Sequence, residues 1–481
     1  MKVKVVIRVI GFLLILLALA MFLPLLVSLY YKQNDWIAFL KSIVITFLAG
    51  GICILITPKT KLTIRYRESC FIVAFTWILA SFFGCLPYLF NGTFNSLVNA
   101  YFETMSGFTT TGASVMEVIE IHPYGILFWR AFTQWLGGIG IIILSVAIFP
   151  LLGIGGIQLF KAEAPGIIME KVSPRIKDTA KILWLAYCVL TILEIILLYI
   201  GGMPVYDAIC HAFTTVSTGG FSVKNTSIEY YHSVYFDIII IIFMILGGIN
   251  FSHYYRLMKK QFKEINNDNE LKLYIGILIS AVLLIITNLM LNGHYASFGN
   301  ALRDSAFQVA SIMTTTGFSN VNWENWPSFS QLMLVCVMFI GAMTGSTGGG
   351  IKVARIAMLL KNIYKEFFKL IHPHAVVAGS GKGISIKETT REIWAFFTLF
   401  IFTFTGSTLI LSWLGLDIVT AFSSVIACLS NIGPGLHLVG TAHNYNFIPE
   451  TGKWVLSFCM LVGRLELYTV FALFSLDFWK K

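Results

Sequence analysis

Long apolar runs alternate with short polar connections along almost the whole chain. Ten are long enough to cross a bilayer, at about 7–31, 36–57, 69–90, 126–150, 181–203, 233–256, 271–292, 329–359, 392–415 and 452–478. A span needs about 20 apolar residues in a helix, because lipid offers no partner to an unpaired backbone group. The first run is too long for the apolar core of a secretion signal, and no small-residue cleavage site follows it. It is expected to be a retained span. Trp36, Tyr88, Trp129, Tyr199 and Trp454 sit at the ends of runs, where amphipathic rings favour the membrane interface.

The connections divide into two kinds. Alternate ones are basic and together carry 27 of the 34 Lys and Arg, including Lys59, Arg65, Lys161, Arg175, Arg256, Lys263 and the segment from Lys352 to Arg391. Positive charge is retained on the cytoplasmic side, so both termini are expected there. The net charge of +10 is therefore orientation, not a nucleic-acid footprint.

Four of the remaining connections, 91–125, 203–232, 292–328 and 415–451, are long and half apolar. Each opens on an amphipathic stretch of helical period and runs into a Gly/Ser/Thr cluster. That pattern predicts re-entrant segments, since irregular backbone at membrane depth must be buried in protein or line water. The clusters align as Phe108-Thr109-Thr110-Thr111-Gly112, Thr215-Val216-Ser217-Thr218-Gly219, Met313-Thr314-Thr315-Thr316-Gly317 and Leu429-Ser430-Asn431-Ile432-Gly433. Further on, Gly137-Gly138, Gly247-Gly248, Gly341-Ala342 and Gly463-Arg464 fall at matching places in the following spans. A four-fold internal repeat follows. The predicted fold is an all-α polytopic membrane protein with two extra N-terminal spans, then four units of span, re-entrant loop and span around one pore. Its divisions are residues 1–62, 63–160, 161–265, 266–370 and 371–481.

Composition narrows the function. Only 12% of residues are charged and 57% are hydrophobic, against about 25% charged in soluble domains. The eight cysteines show no CxxC and lie singly in or beside apolar runs, as small buried hydrophobes do. No nucleophile, base or metal cluster recurs at one depth, which argues against an enzyme. Gly379-Ser380-Gly381-Lys382 fails the phosphate-loop spacing, since Val376 stands where its first glycine belongs. Any nucleotide control is therefore assigned to a partner.

Consecutive inward carbonyls can replace the water shell of a cation, and the torsions they need favour glycine. The expected ion-binding set is Thr110, Thr111, Gly112, Ser217, Thr218, Gly219, Thr315, Thr316, Gly317, Asn431, Ile432 and Gly433. Oxygen ligands without a carboxylate cluster suit a large monovalent ion better than Ca²⁺ or Mg²⁺. The eighth run is broken by a glycine-rich stretch from Gly341 to Gly350. A helical glycine costs about 1 kcal/mol relative to alanine, so a loop is expected there. Arg464 stands where the other units have Gly138, Gly248 and Ala342. A mid-membrane charge costs about 2.5–3.5 kcal/mol, so it must face protein or water. Glu466, two residues on, lies on another helix face and is not expected to be its partner.

These motifs resemble the potassium-transporter superfamily of Trk, Ktr and plant HKT proteins, and within it the TrkH/TrkG branch. Gly345-Ser346-Thr347-Gly348-Gly349-Gly350-Ile351-Lys352, Glu163-Ala164-Pro165-Gly166, Pro174-Arg175 and Thr179-Ala180-Lys181 add to the likeness. The resemblance implies K⁺ uptake in a bacterial cytoplasmic (inner) membrane, with K⁺ as transported ion and no organic cofactor. It also implies a homodimer with one pore per subunit and a cytoplasmic TrkA-like nucleotide-binding regulatory subunit. HKT members with serine at the first filter glycine are associated with Na⁺, so Gly112 sides with K⁺. In this reading Gly345, Ser346, Thr347, Gly348, Gly349, Gly350 and Arg464 form the gate, and segments 160–181 and 361–391 dock the regulator. The rival expectation is a Na⁺- or H⁺-coupled K⁺ transporter, whose repeats would commonly be inverted.

Overall fold

The computed structural model describes residues 3–57, 66–140, 176–372 and 386–480. Every regular element among them is helical. Among the described residues six helices are long and apolar enough to span a membrane: Val3–Tyr30, Trp36–Leu55, Arg67–Phe90, Lys181–Ile200, Asn269–Leu291 and Arg391–Trp413. The protein is thus a multi-pass membrane protein. The motifs at 163–166 and 174–175, the second half of the run at 126–150 and the centre of the 361–391 segment lie outside the described residues.

Among the described residues, three of the expected spans are interrupted rather than single helices. The sixth is Val234–Gly248 followed by Ser252–Met258 after a 100° bend, and the tenth is Glu450–Arg464 followed by Leu467–Phe474 after 115°. The eighth divides into Ser328–Ile340 and Val353–Ile371 around the glycine-rich stretch, as its composition requires. Each break follows a residue that leaves the helical region: Ile249 is extended, while Gly341 (φ 75°) and Glu466 (φ 56°) are left-handed.

Four short helices, Leu97–Phe108, Val205–Val216, Phe298–Met313 and Ile418–Leu429, each end where a Gly/Ser/Thr cluster begins. Ser96 and Asp417 cap two of them through side-chain oxygens. After each cluster the chain returns to an outgoing helix: Tyr124–Trp135, Val234–Gly248, Ser328–Ile340 and Glu450–Arg464. Three of these start directly after Pro123, Pro327 or Pro449. Proline there removes no helical hydrogen bond and fixes the φ of the entering chain. The first outgoing helix passes into a π-helical turn at Leu136–Gly140, a feature that often marks functional positions.

The two N-terminal spans cross at glycine. A Cβ on Gly11 would stand 2.8 Å from the Gly50 carbonyl oxygen, and one on Gly50 would stand 2.8 Å from that of Gly11. Helices in lipid gain little from apolar burial against each other, so close backbone approach through small residues holds them. Gly51, the next residue, faces open space. Gly11→Val and Gly50→Val are therefore expected to cost about 1–3 kcal/mol as overpacking and to lower the melting temperature in detergent by several degrees. Gly51→Val should leave it unchanged, and equal losses at all three sites would refute the crossing.

Candidate functional site

The four clusters fold as one repeated turn. The N–H groups of Thr111, Gly219, Thr316 and Ile432 donate to the carbonyls of Ser106, Thr214, Ser311 and Ala427 at 2.9, 2.8, 2.8 and 2.8 Å. The residue before each is left-handed: Thr110 (φ 52°), Thr218 (54°), Thr315 (60°) and Asn431 (55°). The residue after each is a left-handed glycine: Gly112 (82°), Gly220 (79°), Gly317 (83°) and Gly433 (98°). Positive φ on a β-branched residue costs of order 1–3 kcal/mol and persists only where surroundings enforce it.

This geometry corrects the register of the second unit by one residue. The equivalent of Gly112 is Gly220, not Gly219, so the turn is Thr218-Gly219-Gly220 and Ser217 falls outside it. Gly219 is glycine for a different reason. A Cβ there would collide with the carboxamide of Gln134. Two adjacent glycines with separate causes cannot be told apart in sequence. In the other three units the expected residues occupy the turn as aligned.

The turns close into a ring. A Cβ on Gly112 would strike the carbonyl oxygen of Gly219; on Gly220, that of Thr316; on Gly317, that of Ile432. On Gly433 it would lie 2.6 Å from the carbonyl oxygen of Thr111. Each loop thus presses on the next, and the fourth returns to the first.

Buried polar side chains that the sequence reading missed brace the loops from behind. In three units the residue nine before the glycine bonds the serine two after it. Ser114 Oγ donates to Glu103 (2.9 Å), Ser222 Oγ to His211 Nε2 (3.1 Å), and Gln308 Nε2 to Ser319 Oγ (3.3 Å). His211 Nδ1 is held as donor by the Asp207 carbonyl at 2.8 Å, which fixes the tautomer. The spacing itself was the available signal. In the fourth unit the serine position is Gly435, and Tyr445 acts instead. Its hydroxyl donates to the Gly433 carbonyl (2.7 Å) and its N–H to the Ser114 carbonyl (2.8 Å). Buried Arg130 joins Glu103 (2.6 Å) to the Ser222 carbonyl (2.7 Å). Three acidic residues lie near the starts of the short helices, and of these Asp417 caps its helix. Asp207 accepts from Tyr231 (2.7 Å), and Asp304, buried inside its helix, is bonded by Arg303, Tyr295 and Asn320.

On one side of the ring lies a cavity of about 150 Å³, lined by Gly112, Gly220, Gly317 and Gly433 together with Glu117, Lys224 and His443. Near it, burial pushes the Glu324 carboxyl above the usual carboxylate range, against the opposing pull of His443 and His437.

On the other side lies the glycine-rich segment. Thr347 Oγ1 donates to the carbonyl of Val216 or Gly247, both at 3.1 Å, and its N–H to Gly247 at 3.3 Å. The Gly349 N–H donates to Thr315 Oγ1 at 2.8 Å, and a Cβ on Gly349 would collide with the Ser430 carbonyl. Arg464 completes the layer. Its guanidinium donates to Thr110 Oγ1 (3.2 Å), the Thr347 carbonyl (2.7 Å), the Gly137 carbonyl (2.6 Å) and the Gly138 carbonyl. Segment and arginine together touch the underside of all four loops. Glu466 is not with Arg464; it pairs with Lys352 (3.2 Å) and Arg355 (2.5 Å) where the segment rejoins a helix.

Comparison with known proteins agrees with this architecture. The family model for TrkH, a cation transport protein, matches residues 36–480. Trk system potassium uptake protein TrkH of Escherichia coli K12 is 38% identical over the full length of both chains, and that of Salmonella typhimurium is equally so. TrkG of E. coli K12 is 34% identical over 99% of each chain. The crystal structure of the potassium transporter TrkH from Vibrio parahaemolyticus superposes with a TM-score of 0.90 at 34% identity, covering all of both chains. The chain belongs to the TrkH family of cation transport proteins.

Proposed function

We propose that this protein takes K⁺ into the cell across the bacterial inner membrane, through a pore whose selectivity filter is the ring of four turns. The carrying observation is ring closure: four matched left-handed turns, each glycine seated on the carbonyl of its neighbour. Such a ring offers oxygen ligands from four sides of one axis, and the short helices end at it with their partly negative C-termini, which favours a cation there. The units read as re-entrant segments between spans, with divisions at 1–62, 63–160, 161–265, 266–370 and 371–481. The filter is Thr110, Thr111, Gly112, Thr218, Gly219, Gly220, Thr315, Thr316, Gly317, Asn431, Ile432 and Gly433. The potassium uptake named for the E. coli and Salmonella relatives supports K⁺ as the cargo. The cavity with Glu117 is the outer mouth, and both termini are cytoplasmic.

The gate is the segment 345–350 with Arg464. The segment blocks the axis beneath the filter, and the arginine holds it by the Thr347 carbonyl while repelling a cation. Opening requires the segment to release Gly247, Thr315 and Arg464 together. The unit of function is a homodimer with one pore per subunit, controlled by a cytoplasmic TrkA-like nucleotide-binding subunit.

Three measurements test these readings. Gly112→Ser places a side chain against the neighbouring carbonyl. K⁺ over Na⁺ discrimination in proteoliposome flux should fall on the order of tenfold, equivalent to about 1.4 kcal/mol; a well-folded variant with unaltered selectivity would reject the filter. Arg464→Ala or deletion of 345–350 should raise basal rubidium tracer uptake severalfold while Na⁺ competes no better than in wild type. Normal reconstitution with no added flux would reject the gate. Lys361, Lys365 and Lys369 recur every four residues on the helix Val353–Ile371 and so share a face. Reversing their charge should weaken pulldown of the regulator without changing selectivity; undiminished capture would put docking elsewhere.

A further inference from the structure

The four seams of the ring are not alike. Counting back four residues from Gly138, Gly248, Ala342 and Arg464 gives Gln134, Met244, Met338 and Met460, all fully buried. In the first, second and fourth units the equivalence is structural as well. Gly137, Gly247 and Gly463 each abut the carbonyl four residues before a filter glycine, those of Phe108, Val216 and Leu429. One unit therefore carries an amide where three carry a thioether.

That amide grips the second loop at two points. Gln134 Nε2 donates to the Gly219 carbonyl at 2.6 Å, and Gln134 Oε1 accepts from the Phe221 N–H at 3.0 Å. The two bonds straddle Gly220. One helical turn earlier on the same face, Arg130 holds the Ser222 carbonyl at 2.7 Å and lies 3.7 Å over the Phe221 ring. The second loop needs this grip more than the others. In the first and third loops the central threonine is pinned by a hydroxyl two residues back, Thr109 to Thr111 and Thr314 to Thr316, each at 2.8 Å. In the fourth it is Ile432, fully buried. In the second it is Gly219, which has no side chain to pin and is followed by another glycine. A Gly-Gly pair has the widest backbone freedom available, so the loop's shape must be imposed from outside.

Resting on the reading of the ring as a K⁺ filter, we infer that Gln134 is a positioning residue for ion selectivity, supplying through its amide the constraint that a central side chain supplies in the other three loops. It touches the filter backbone and not the ion. Met244, Met338 and Met460 stand at the equivalent places of the other three units.

Q134M gives the odd seam the residue used by the others. It has nearly the same volume and leaves the Gly219 carbonyl and Phe221 N–H without their partners. The experiment is paired K⁺ and Na⁺ tracer uptake into proteoliposomes loaded with wild type, Q134M and Q134M/G219T. Wild type should discriminate. Q134M should conduct K⁺ within about threefold of wild type yet lose on the order of tenfold in K⁺/Na⁺ ratio. Q134M/G219T, which restores a side chain beside Ser217, should recover most of that ratio. A merely structural role would lower the yield of folded protein without moving the ratio. Should Q134M fail to fold, Q134N keeps a buried amide but is too short to reach both partners, and its ratio decides. A selective wild type with an equally selective Q134M, or Q134N in its place, overturns the inference. A wild type that conducts K⁺ and Na⁺ alike overturns the filter reading instead.

Discussion

Backbone pressed against backbone is the constraint on which this structure depends. Four turns hold left-handed residues in contact with neighbouring carbonyls, at distances that leave no room for a Cβ. No single turn would keep that shape alone, because three threonines and an asparagine sit at positive φ against their own steric preference. The ring enforces each turn by the next, and buried side chains enforce the ring. Glu103, His211, Gln308 and Tyr445 are conventional satisfied polar groups taken singly. The first three tie each short helix to the extended segment that follows its turn, and Tyr445 ties the fourth turn to the first unit.

Much of this was legible in the sequence because it is written in period and spacing. The glycine clusters, their recurrence and the break before Lys352 all follow from composition at matched positions. What escaped was whatever depends on a contact across units. The alignment took Gly219 where the turn uses Gly220, and the reason Gly219 is glycine as well lies in Gln134, 85 positions away from it. The bends at Ile249 and Glu466 were likewise invisible, since the apolar runs continue across both. That Glu466 does not pair with Arg464 was expected, but its actual partners, Lys352 and Arg355, follow only from the turn. The network that binds Asp304 to Arg303, Tyr295 and Asn320 also had no signal in the spacing.

The layer beneath the ring joins the two halves of the problem. The glycine-rich segment packs against the second, third and fourth loops only because it lacks side chains at Gly348 and Gly349, and Arg464 reaches the first. Arg464 binds mainly carbonyl oxygens there, so its charge is held by backbone dipoles of the glycine-rich segment and of the helical turn at Gly137 and Gly138.

The unequal seams carry an evolutionary corollary. In a pore of four identical chains, one codon change alters every quarter of the ring at once. Here the four quarters are encoded separately, so a substitution such as that distinguishing Gln134 from Met244 perturbs one side and leaves three intact. Variation can then be sampled in quarter-steps, each small enough for a working ring to survive.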